Sequence, residues 1–147
     1  IQIAEAPFAD LAVSDVTAPA LTVGDPAQVT VGWKVTNLGT GAGLTPSWAD
    51  AVIASTDAIV GNADDVVLAT FPHDGALGVG QSYTENRTFL LPPALQGRFT
   101  LFVRTDATGL VFEHGSEANN AAAAPGVVAG HRAVGDIECP TVENTAA

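Results

Sequence analysis

The chain has 147 residues, 47% of them apolar, with 16 Asp and Glu against 5 Lys and Arg and a net charge of -11. That length suits one domain able to bury a core without covalent staples. The charge balance excludes a phosphate-neutralising nucleic-acid face and a polybasic membrane anchor, and no apolar run is long enough to insert in a membrane. The single cysteine, Cys139, excludes an internal disulfide and a cysteine zinc site, and reads as an incidental thiol. The chain opens at Ile1, has no methionine and one lysine, Lys34, and is rich in Ala, Val, Thr and Gly. The expectation is a segment of a longer secreted or surface protein.

Residues 1–8 read as an N-terminal linker, and 10–17 as a first strand with Leu11, Val13 and Val16 making its apolar contacts. Val29, Val31, Trp33 and Val35 alternate with Thr30, Gly32, Lys34 and Thr36, the period of a half-buried strand. Strands follow at 48–55 and 65–72. The strand at 81–91 is untidy, because Glu85 and Arg87 share a face with Tyr83 and Phe89; a bulge or a solvent-facing stretch is expected there. Phe99, Leu101 and Val103 alternate with Arg98, Thr100 and Arg104. The last strand is placed at 119–128, although Ala121, Ala122, Ala123 and Ala124 are weak strand formers. Beyond it, 127–147 reads as a tail, with an extra edge strand near 127–134 and then a linker.

Turn signals such as Gly24-Asp25-Pro26, Asn37-Leu38-Gly39, Asp74-Gly75 and His114-Gly115 separate these runs. Seven short strands without a long helix indicate an all-β, two-sheet sandwich over 9–126.

Two acidic loops are candidate cation sites. The loop 57–65 carries Asp57, Asn62, Asp64 and Asp65, oxygen donors of the kind Ca²⁺ takes, but without EF-hand spacing. The competing reading is a turn in which these side chains cap their own backbone. The second loop carries Asp106, Glu113 and Glu117, followed by Asn119 and Asn120. There the competing reading has the two asparagines bonding loop carbonyls to lock the chain into its last strand. Sandwich topology sets this loop beside 37–48, which predicts one acidic, Gly-lined concavity, and puts the loop 57–65 at the opposite end. Catalysis finds no support. His73, His114 and His131 lack metal-ligand spacing, and no nucleophile elbow, P-loop or dinucleotide fingerprint is present. Trp33 and Trp48 read as core in preference to a sugar-stacking platform.

Several segments together carry a family resemblance. They are Ala9-Asp10-Leu11-Ala12-Val13, Trp33-Lys34-Val35-Thr36-Asn37-Leu38-Gly39-Thr40-Gly41, Trp48-Ala49-Asp50-Ala51-Val52, the run from Tyr83 to Pro92, and the closing set Asp106, Val111, Glu113, Glu117, Asn119 and Asn120. Their order resembles the cell-adhesion-related domain found in bacteria, CARDB. The resemblance implies an immunoglobulin-like, Greek-key sandwich of seven strands in two antiparallel sheets. It also implies surface display or secretion, multidomain parents and no enzyme activity.

The reading is a non-catalytic extracellular adhesion or spacer module of a larger bacterial surface or secreted protein, stiffened by Ca²⁺. Its expected partners are neighbouring domains of the same chain and a cell-surface protein or glycan. The alternative is an accessory substrate- or polysaccharide-binding domain of a secreted hydrolase.

Overall fold

A computed structural model describes residues 2–131 apart from Asp25 and Ser116. Nine strands occur: β1 (Leu11–Thr17), β2 (Leu21–Val23), β3 (Gln28–Asn37), β4 (Ser47–Ser55), β5 (Val66–Asp74), β6 (Ser82–Leu90), β7 (Gly97–Arg104), β8 (Ala121–Ala123) and β9 (Val128–His131). One 3-10 turn, Ala118–Asn120, leads into β8. The sheets are β1-β3-β6 and β2-β9-β7-β4-β5, with β8 also on β7. Every pairing is antiparallel except β2 with β9. The sheets enclose one core, with Leu11, Val29, Val31, Trp33 and Val35 from the first against Val52, Leu101, Val103 and Val128 from the second. This is the immunoglobulin-like sandwich the sequence predicts. No helix among the described residues is long and apolar enough to cross a membrane.

The strands expected between 10 and 104 all form. The last one is divided. Three alanines give only the short β8 on Phe102–Arg104, because small side chains gain little from a pleated surface. Pro125 and Gly126 (φ 76°) then break the ladder, and β9 resumes pairing on Gly97–Phe99. β9 falls within the span expected for an extra edge strand, but it is not an edge: it lies between β7 and β2, which covers it. Residues 132–147, with the expected linker and Cys139, lie outside the described residues.

Two local irregularities have physical causes. In β1, Asp15 takes φ 53° and the register against β3 shifts between Ser14 and Thr17, so Val16 follows Leu11 and Val13 into the core. In β6 there is no bulge, since its register with β3 is continuous from Gln28–Leu90 to Thr36–Ser82. Glu85 and Arg87 are tolerated there because the guanidinium pairs with Glu85 (Nε to Oε1, 2.7 Å) and lies 5.3 Å over the Phe71 ring of β5. A self-neutralised pair thus covers the rim between the sheets.

Two buried polar groups fix the frame. Asn37 is fully buried and satisfied on every side. Its Nδ2 donates to the carbonyls of Gly41 (2.9 Å) and Leu77 (2.8 Å), and its Oδ1 accepts from the N–H groups of Asp10 (3.0 Å) and Gly39 (2.9 Å). The chain before β1 passes so close that a Cβ on Gly39 would lie 2.3 Å from the Phe8 carbonyl oxygen. Only glycine fits.

The second group is Asp50, 1% exposed between the sheets. Trp33 Nε1 (2.8 Å) and the Tyr83 hydroxyl (2.9 Å) donate to its Oδ2, and the Thr105 hydroxyl (2.7 Å) donates to its Oδ1. Trp48 Nε1 donates to the Tyr83 oxygen at 3.0 Å. Burial raises the Asp50 carboxyl above its usual range, and the Thr105, Trp33 and Tyr83 donors partly offset this. Asp50→Ala strands three buried donors and is expected to cost about 3 kcal/mol or more in urea unfolding. Tyr83→Phe, which leaves Trp33 and Thr105 bonded, is expected to cost about 1–2 kcal/mol. Equal costs would show that the carboxylate is not the hub.

Candidate metal centre

The segment between β7 and β8 builds a carboxylate cluster. Asp106 takes φ 47°, a left-handed conformation that a short polar side chain tolerates. Its two oxygens accept the backbone N–H groups of Leu110 (2.8 Å) and Val111 (2.9 Å), which ties the turn to itself. Val111 is buried, and Glu113, two residues on, also points inward and is 1% exposed. Its Oε2 accepts the N–H of Leu11 in β1, and its Oε1 accepts Asn120 Nδ2 at 2.5 Å. Glu117 stands exposed at the rim, its Oε2 accepting Asn120 Nδ2 at 2.8 Å.

One oxygen each of Asp106, Glu113 and Glu117 lies within 4.8 Å of the others, and no other such group of three forms among the described residues. Neither ion pair among the described residues, Arg87–Glu85 or His114–Glu5, involves the cluster. Arg104 lines the same cavity of about 270 Å³, with Asp106, Ala107, Gly109, Glu117 and Asn120. Burial, together with the Glu117 and Asp106 charges, lifts the Glu113 carboxyl to about 7, against the pull of the Asn120 and Leu11 donors.

The donor set is all oxygen, as a hard cation requires, and each carboxylate keeps lone pairs beyond its hydrogen bonds. Asn120 adds an observation of its own: its Oδ1 is buried with no hydrogen-bond partner among the described residues. The residues therefore fit Ca²⁺.

The loop 56–65 is built differently. Asp57 Oδ1 accepts the Ile59 N–H (2.7 Å), and Asp57 Oδ2 accepts Asn62 Nδ2 (3.0 Å). Asp64 Oδ2 accepts the N–H (2.8 Å) and hydroxyl (2.6 Å) of Thr56 and the Ser55 hydroxyl (3.0 Å). Asp65 Oδ2 accepts the N–H groups of Gly61 and Asn62. The Thr56 hydroxyl bond, first among several, lowers the Asp64 carboxyl below its usual range. These are self-capping turns.

The register of β4 on β7 sets the two acidic loops at opposite ends, with Ser55 facing Thr100 and Ala51 facing Arg104. Yet the loop folds back over the outer sheet face. There Val60 and Ala107 cover Ala51, Ile53 and Phe102.

Two expectations need correction. Asn119 and Asn120 do not bond loop carbonyls through their side chains: they donate to Asp10 (2.7 Å) and to the two glutamates. The loops 37–48 and 105–120 do meet, through the Thr45 hydroxyl on the Leu110 carbonyl (2.9 Å). What they share is an apolar groove of Pro7, Phe8, Gly43, Leu44 and Phe112, separate from the carboxylate cavity. Trp33 and Trp48 are both buried, as the core reading of the two tryptophans expects.

Sequence reasoning missed the reach of Glu113 to Leu11 and the place of Asn120 between the two glutamates. The inward alternation Val111, Glu113 was the available signal.

The fold and this site define an immunoglobulin-like β-sandwich module. The CARDB family model matches residues 8–124, so the chain belongs to the CARDB family, a family of non-catalytic modules within larger proteins. A crystal structure of the CARDB domain of a Pyrococcus furiosus protein, in complex with di-metal ions, is similar at 21% identity and TM-score 0.56, over 84% of this chain and 89% of that one. A solution structure of the Pyrococcus furiosus domain is similar at 19% identity and TM-score 0.57, over 84% and 96%. β-Glucosidase 3B from Thermotoga neapolitana is similar at 13% identity and TM-score 0.52, over 83% of this chain but 16% of that one. At these identities the likeness is one of fold. No curated protein matches the chain.

The Glu113 shift predicts a pH dependence for the metal-free protein. The folded carboxyl holds its proton to about 7, whereas the unfolded one releases it near 4.5. Between those values the folded state binds more protons, so stability falls as pH rises through the window and levels off above it. Urea midpoints with chelator at pH 5 and pH 7.5 are expected to show this fall, and Glu113→Gln to flatten it.

Proposed function

We propose that this CARDB domain is an extracellular adhesion or spacer module of a larger bacterial surface or secreted protein. Its end is stiffened by Ca²⁺ held by Asp106, Glu113 and Glu117. The observation that carries the reading is the convergence of three carboxylates, two of them buried, with none in an ion pair among the described residues. Clustered like charges destabilise a fold unless protons or cations offset them, and Ca²⁺ supplies the offsetting charge. The di-metal complex of the Pyrococcus furiosus domain supports the same reading.

The mechanical consequence follows from Glu113. It accepts the Leu11 N–H, so fixing Glu113 fixes β1 against the loop before β8. That is where the chain from the preceding residues joins the sandwich. Neighbouring domains of the same chain and a cell-surface protein or glycan are the partners such a module serves. Low lysine and high acidity accord with the extracellular placement. The alternative, an accessory domain of a secreted hydrolase, draws on the fold likeness to the β-glucosidase. The buried tryptophans leave that reading without a tryptophan platform for a polysaccharide to stack on.

A ligand that binds only the folded state adds RT ln(1 + [L]/Kd), about 2.7 kcal/mol at a hundredfold excess over Kd. Millimolar Ca²⁺ is expected to raise Tm by roughly 5–10 °C relative to chelator. Glu117→Ala, at the exposed rim, is expected to abolish the rise, and Asp57→Ala to leave it intact. An unchanged wild-type Tm would end the cation reading. Release of the parent protein from intact cells by added protease tests its surface placement.

A further inference from the structure

We infer that the Asn120 side-chain amide closes the carboxylate cluster when no cation is present and turns to join the ligand set when a hard divalent cation binds. The inference rests on the cation reading above. Asn120 is 3% exposed. Its Nδ2 lies 2.5 Å from Glu113 Oε1 and 2.8 Å from Glu117 Oε2, and donates to both. One amide nitrogen thus sits between two carboxylates, where a positive charge would be most stable. Its hydrogens carry only a partial charge, so the repulsion is eased without being neutralised.

The other half of the amide is the telling part. Asn120 Oδ1 is buried without a partner among the described residues, which leave its desolvation uncompensated. Native structures leave few such atoms, and this one belongs to a side chain lining the same cavity as Asp106 and Glu117. The backbone is fixed on both sides. The Asn120 N–H donates to the Glu117 carbonyl (3.2 Å), and its carbonyl accepts the Thr105 N–H (2.8 Å). The terminal torsion is free of that constraint, and half a turn about it exchanges oxygen and nitrogen. With a cation among the carboxylates, the orientation seen here sets N–H dipoles against positive charge. The turned orientation presents a fourth oxygen, of the amide type that Ca²⁺ accepts. Among the described residues Asp65 Oδ1 and Asn119 Oδ1 are also buried and unpartnered, but Asp65 lies in the other acidic loop and the Asn119 Nδ2 is committed to Asp10. Asn120 alone bridges the two glutamates.

The test is Ca²⁺ binding to the whole chain by calorimetry, with side-chain amide resonances followed by ¹⁵N NMR. Asn120→Asp replaces the orphan oxygen's amide with a carboxylate. It is expected to tighten Ca²⁺ by about tenfold, because affinity rises with ligand charge, and to lower the metal-free Tm. If Asn120→Asp does not fold under chelator, folding on Ca²⁺ addition is the same positive result. Asn120→Ala is expected to weaken Ca²⁺ by about tenfold, through loss of one oxygen ligand. In the wild type, the Asn120 amide resonances are expected to move on Ca²⁺ saturation while those of Asn86, on β6, stay in place. If the wild type binds Ca²⁺ with the Asn120 resonances unmoved and Asn120→Asp binds no tighter, this inference is overturned and the cation reading stands. If the wild type binds no Ca²⁺, both fall.

Discussion

A carboxylate buried between two sheets organises this domain. Asp50 gathers donors from β3, from β6 and from the residue just past β7, so one side chain on β4 registers both sheets against each other. Apolar packing alone is permissive about sliding, because methyl groups gain nearly the same energy in neighbouring registers. Three directed hydrogen bonds to one carboxylate are not permissive. The cost is a buried charge with its carboxyl raised by desolvation. Aromatic groups share that burden: Trp48 donates to the Tyr83 oxygen, and the His73 ring stacks on Tyr83 at 3.8 Å. Trp48 and Tyr83 thus pack into or against the core and also orient polar atoms.

The same device recurs at the end of the sandwich. Asn37 ties the segment before β1 to the turns after β3 and before β6, and Glu113 ties β1 to the loop before β8. Asp50, Asn37 and Glu113 are almost wholly buried. All three bond residues far away in sequence. This explains why the family signature holds polar residues at spacings that no single secondary structure demands. The motif records tertiary hydrogen bonds, and glycines such as Gly39 record how closely another backbone passes.

The strands were legible because their period depends on neighbouring residues alone. Val29, Val31, Trp33 and Val35 announce a buried face without reference to any partner. The divided last strand was half legible: the alanines signalled weakness, but where pairing resumes depends on β7 and β2. For a related reason the bulge expected at Glu85 and Arg87 does not form, although the two side chains stay partly exposed at the rim. Their tolerance on an inward face rests on Phe71, a residue of the opposite sheet. The site followed the same rule. Asp106, Glu113 and Glu117 were nameable as acids in a loop, whereas Leu11 as the partner of Glu113 comes from across the fold.

The two acidic loops show why local density of carboxylates is a poor guide to an ion site. Asp57, Asp64 and Asp65 sit among turn N–H groups a few residues away. Those donors reach the carboxylates first, since closing a short loop costs little entropy. Each oxygen so used is already engaged by nearby N–H groups, hydroxyls or the Asn62 amide. Glu113 and Glu117 find few such donors nearby, and a folded frame holds them with Asp106 at one place. A cation site is favoured where carboxylates from separate parts of the fold converge, as Asp106 does with Glu113 and Glu117 although its own oxygens also accept the Leu110 and Val111 N–H groups. By that criterion the loop poorer in aspartate is the better candidate, and the net -11 of the chain divides into acids that build turns and a few that the fold brings together.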